Sequence, residues 1–212
     1  MLDLASLPDL SSLPTPPSSS ISSSSSSPST ELCGLPASFI TGCAMHIGSQ
    51  LFDHCRITTL EVDQILTTAY GHRHRYLSLN AMAAASCLIA GLSDKVFMDL
   101  NSTSMPHHVG RLVLISSLML AHKLTTDETL PLSFWAGLTT PHMTKSAIQI
   151  TEMTMLFDVE FNFSHYCNSQ ALHATITTFQ SCQKLVQFFL PPPPPELPAI
   201  NSNPCHDSLN VH

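Results

Sequence analysis

Charge is scarce in this chain. Asp, Glu, Lys and Arg make up 11% of its 212 residues, and the acids outnumber Lys plus Arg by 15 to 8. Nucleic-acid binding needs clustered cations that neutralise phosphates. The one basic cluster, "GHRHRY" at 71–76, is too small to supply them, so nucleic acid is not an expected partner. Long apolar runs are missing as well. A membrane-crossing helix takes about 20 mainly apolar residues. The most apolar stretch, "RLVLISSLMLAHKL" at 111–124, is bounded by Arg111 and Lys123. The N-terminus lacks a basic region followed by an apolar signal core. No membrane association is expected.

Cysteine pairing is also absent as a pattern. The seven cysteines are odd in number and none forms Cys-x-x-Cys. Without a secretory signal, free thiols in a reducing compartment follow, which places the chain inside the cell, in nucleus, cytoplasm or both. Twelve histidines invite a metal reading, yet none stands in a His-Glu-x-x-His or finger-like frame. His72 and His74 are two apart and would diverge on a helix. No metal or cofactor is expected.

What is present divides the chain in three. Residues 1–34 are a Ser/Pro-rich tail, "PTPPSSSISSSSSSPST" within it, with too little apolar surface to offset the entropy of ordering. Residues 191–212 open with "PPPPPELP", a polyproline II stretch, and continue as a short polar tail. Both tails read as disordered. Thr15-Pro16 and Ser27-Pro28 are proline-directed phosphorylation candidates, and the proline run is a candidate SH3 or WW ligand, though it has no flanking arginine.

Residues 35–190 read as one all-α domain. Glycine is scarce, hairpin dipeptides are absent, and apolar residues come in helix-length blocks. Helices are expected at 37–52, 59–72, 78–92, 106–124, 132–138, 140–160 and 168–190. Thr58 or Thr59 caps the second, Ser78 the third, and Thr140-Pro141 opens the sixth as cap and first-turn proline. The fourth is the most apolar and should lie buried at the centre of the bundle.

That helix ends Leu120-Ala121-His122-Lys123, and a short tryptophan-bearing helix and "ITEMTMLFDVEFNF" follow. The arrangement resembles the cyclin box. In that family the third helix typically ends leucine-alanine-x-lysine. The fifth carries a glutamate nine residues before the aromatic of a closing aromatic-x-hydrophobic signature. Glu152 lies nine residues before Phe161 of "FNF". Asp127, eight residues before Trp135-Ala136, is similar to the fungal Pho or PCL-type cyclins. The stretch 87–95 lacks the arginine many cyclins carry there, and two extra residues near 139–141 separate tryptophan and glutamate.

The resemblance implies a cyclin-box-like bundle and a non-catalytic subunit that binds and activates a cyclin-dependent kinase. It implies that Lys123 and Glu152 face the kinase's mobile helix. Leu120, Ile148 and Met155, their neighbours at helical spacing, are the expected apolar contacts. Taken singly, each residue has a plainer explanation. A last-turn lysine stabilises the helix dipole by roughly 0.3–1 kcal/mol. Glutamate suits any solvated helix face, Met and Leu at this spacing are usually core, and Trp135 is a packing anchor. Two rivals remain: a cyclin-fold scaffold that binds other proteins without a kinase, and a small α-helical hydrolase using His and Cys. The hydrolase lacks a nucleophile elbow, phosphate loop or metal frame.

Overall fold

The computed structural model describes residues 35–71, 77–102 and 108–189. The expected disordered tails and the basic cluster beyond Gly71 lie outside the described residues. Among the described residues there are nine α-helices and no strand.

Helix α1 (Ala37–Phe52) turns Phe39, Ile40, Cys43, Ala44, Ile47 and Leu51 to the core, at helical spacing. Helix α2 (Thr59–Gly71) opens with a reciprocal cap. Thr58 Oγ1 accepts from the Glu61 N–H at 3.2 Å, and Glu61 Oε2 accepts from the Thr58 N–H at 2.9 Å. Helix α3 (Leu79–Gly91) is capped by Ser78, which accepts from the Ala81 N–H at 3.0 Å. Sequence reasoning overlooked α4 (Asp94–Ser102), a short helix that buries only Val96, Phe97 and Leu100. It leaves α3 at 86°, and no single helix among the described residues is long and apolar enough to cross a membrane.

Helix α5 (Val109–Thr125) is the apolar stretch, and thirteen of its 17 residues are buried. Only Arg111 and the last three residues escape, so α5 belongs to the core over nearly its whole length. It packs on α3, α7 and α4. The centre is shared, however: the alanine-rich α3 touches α5 along one side and α1 and α9 along others. Side chains as small as Ala81, Ala83, Ala84 and Ala85 let helices approach it from several directions.

Helix α6 (Leu132–Ala136) buries Trp135 as a core anchor. Helix α7 (Lys145–Asp158) starts later than its sequence predicts. Thr140-Pro141 is a cis peptide in the preceding turn. Thr144 supplies the cap, accepting from the Ala147 N–H at 3.2 Å. The loop is held because Met143 is buried and its N–H donates to the Ala136 carbonyl at 3.2 Å. Helix α8 (Phe163–Tyr166), also unforeseen, is a single turn before α9 (Ser169–Phe189), whose long flank covers α1 and α3.

Candidate functional site

Lys123 occupies the last turn of α5 and Glu152 the middle of α7. The packing of these two helices brings together residues 29 apart in sequence. Lys123 Nζ donates to Glu152 Oε1 at 2.6 Å. The lysine side chain is 45% exposed and the glutamate 14%, so the pair sits at the surface with its acid partly sheltered.

The three apolar residues expected around the pair are not surface residues. Leu120 is 5% exposed, Ile148 0% and Met155 1%. They belong to the core and cannot touch a partner while the domain is folded. The reason is helical phase. Ile148, Thr151, Met155 and Val159 make one buried stripe of α7, and Glu152 lies on the edge of that stripe, not at the middle of an exposed one. Trp135 is buried beneath His122, with ring centroids 5.8 Å apart, while Asp127 stays exposed.

An apolar surface at the end of α5 comes from residues that sequence reasoning passed over. Leu124, next to Lys123, is exposed. It opens a pocket of about 270 Å³ shared with Phe163, Cys167 and Leu172. That volume suits a single apolar side chain. The available signal was the second aromatic of "FNF": Phe163 returns to the core while Phe161 stays outside. Glu160 and Phe161 make this possible by taking left-handed backbone, φ 51° and 56°. Non-glycine residues adopt that region at a steric cost, which persists only where surrounding contacts hold it. Here the Phe161 N–H donates to the Leu156 carbonyl at 3.0 Å and the Asn162 N–H to Val159 at 2.8 Å.

A second charged pair ties α2 to α5. Arg111 Nε donates to Glu61 Oε1 at 3.0 Å, and Arg111 Nη2 contacts the same oxygen. This pair completes the α2 cap and has a structural explanation.

Thiol chemistry has little support in the geometry. Burial pushes the Cys43 thiol up to about 12, helped by the nearby Cys182, and burial pushes Cys55 and Cys167 up to about 11. The thiolate is the nucleophile, so these groups are poor ones. Among the described residues no thiol hydrogen-bonds a histidine: Cys55 donates to the Leu51 carbonyl, Cys87 pairs with Thr175 and Cys167 with the Ala84 carbonyl. No group of three His, Cys, Asp or Glu side chains among them converges to hold a metal. A hollow of about 770 Å³ is an open depression around residues 52–58 and Asn101. It holds charges of both signs, Asp53 and Arg56, without an activated nucleophile.

The chain matches no family model, no curated protein and no solved structure.

Proposed function

We propose that this chain is a cyclin-like regulatory subunit, akin to the fungal Pho or PCL type, that binds and activates a cyclin-dependent protein kinase inside the cell. In this reading α3, α5 and α7 are the core of a cyclin-box-like bundle. The observation that carries the proposal is the meeting of Lys123 and Glu152 at the rim of the domain, 2.6 Å apart. The resemblance implies that both residues face the same partner surface, and nothing in the local sequence of either helix forces them together.

The chemistry assigned to the surface is docking. The Lys123–Glu152 pair offers a donor-rich cation and an acid to the polar groups of the kinase's mobile helix. Leu124 and its pocket receive one apolar side chain of that helix. Docking favours the inward position in which the kinase's own lysine–glutamate pair forms and ATP is aligned. A ligand that prefers one of two states need contribute only a few kcal/mol of differential affinity. The catalytic groups and Mg²⁺ belong to the kinase.

Lys123→Ala combined with Glu152→Ala tests the assignment. An exposed ion pair contributes roughly 0.2–1 kcal/mol to folding, so the melting temperature should barely change. Truncated interface charges cost roughly 2–5 kcal/mol of binding, so co-purification with the kinase and its activation should fall by more than about tenfold. A mutant that melts normally and still binds and activates would leave the pair without a docking role and favour the scaffold reading. A mutant that fails to fold would make the pair structural.

A further inference from the structure

Four large apolar side chains stand in water along the outer side of α7 and its C-terminal turn: Ile150, Met153, Phe157 and Phe161. The first three are spaced by three and four residues, so they share one helix face, opposite the buried stripe of Ile148, Thr151 and Met155. Phe157 is 66% exposed. Phe161 packs edge-to-face on it, centroids 5.6 Å apart, held outside by the left-handed turn. A contiguous apolar surface of this kind marks an interaction site more often than isolated exposed residues do.

A groove of about 350 Å³ runs beside this stripe, between α4 and α7. Asp99 and Asp158 line it together with Lys95, and exposed Glu160 follows in the turn beyond α7. Three carboxylates against one ammonium leave the rim acidic. Asp158 is fixed in place: its Oδ2 accepts from the Ser93 N–H at 2.8 Å and its Oδ1 from the Ser93 hydroxyl at 2.5 Å.

We infer that the α4–α7 face is a docking surface for a basic amphipathic helix of a partner protein. Ile150 to Phe157 covers about two helical turns, roughly 10 Å, which matches a helix presenting apolar anchors at i, i+3 and i+7. Lysines or arginines flanking those anchors meet Asp99, Asp158 and Glu160. A second copy of this chain would bring the same carboxylates to the contact, and an anionic lipid surface would be repelled by them. The surface uses neither Lys123 nor Glu152, so it stands apart from the kinase reading.

The test is fluorescence anisotropy of the full chain with two labelled helical peptides of about 14 residues. Both carry leucines at i, i+3 and i+7; one has lysines and the other glutamates at the flanking positions. The lysine peptide should bind about tenfold or more tighter, and its affinity should fall with added salt. Phe157→Ser and, separately, Met153→Ser should each weaken it by about tenfold, as truncated interface anchors do. Asp99→Asn with Glu160→Gln should weaken it and flatten the salt dependence. Lys123→Ala with Glu152→Ala should leave it unchanged even if kinase binding proves absent. Equal binding of the two peptides, or no loss in both serine variants, would overturn the inference. So would self-association that dissolves in Phe157→Ser, which would assign the face to a second copy.

Discussion

Glu61 lies under two opposing effects. Its partial burial favours the protonated form. Hydrogen bonds from the Thr58 N–H, Arg111 and the Thr58 hydroxyl, with the Arg111 charge, outweigh burial and hold the carboxyl below its ordinary value of 4.5. A depressed folded value means that the stabilisation is complete above the unfolded value. It is lost as pH falls through the folded one. Wild type should therefore melt above Glu61→Gln near neutral pH, by about 1 kcal/mol or less of stability for so surface-near a pair. The gap should begin to close as pH drops below about 4.5 and vanish once it passes the lower folded value. Melting curves of both proteins across that range check this; a gap that widens in acid would contradict the pairing with Arg111. At the same scale, motif spacing singled out Lys123 and Glu152. Their bond was not, because it depends on how two helices cross. Leu120, Ile148 and Met155 were misjudged for the same reason: spacing shows which residues share a face, but only packing shows which face is covered.

At the scale of the element, the crossing of α1 and α9 is set by a glycine. A Cβ on Gly42 would lie 2.7 Å from the Gln183 backbone nitrogen and 3.1 Å from the Phe179 carbonyl oxygen. Both are backbone atoms that cannot swing aside. In an isolated helix Gly→Ala stabilises by about 1 kcal/mol. Here the overlap forces the helices apart, and overpacking costs roughly 1–3 kcal/mol. Gly42→Ala should therefore destabilise the domain, and Gly42→Val should do so more, as read from urea midpoints. A more stable Gly42→Ala protein would show that the two helices do not approach so closely. The helix starts show a matching contrast. The caps at Thr58 and Ser78 were visible because a cap is a local hydrogen bond. The start of α7 moved from Thr140 to Thr144 because a buried residue of the loop, Met143, decides where the turn must go.

For the whole molecule, the decisive quantity is the burial of α5. Leu118 is fully buried in the middle of it. A carboxylate there has no partner and would cost several kcal/mol, a large share of a total that is roughly 5–15 kcal/mol for a domain. Leu118→Asp should lose its cooperative melt and most of its helical circular dichroism. An unchanged melting temperature would remove α5 from the core.

Composition and periodicity by themselves determined that the described domain is all-helical, where four of its longer helices lie to within a residue or two, and that α5 is buried. These follow from local rules: cap chemistry, helical spacing, and the cost of leaving so many apolar side chains in water. Only the tertiary structure decided the rest. Alanine-rich α3 shares the centre because small side chains admit neighbours on several sides, which no single-helix pattern reveals. The short helices α4 and α8 form because existing helices offer surfaces for Val96, Phe97, Leu100 and Phe163; α4 carries helical spacing over only nine residues, and α8 is a single turn. The surface around these residues likewise belongs to the assembled fold. Lys123 and Glu152 become neighbours, and Phe157 stays in water, only because α5, α7 and the left-handed turn at Glu160 and Phe161 settle which side of each helix the core takes.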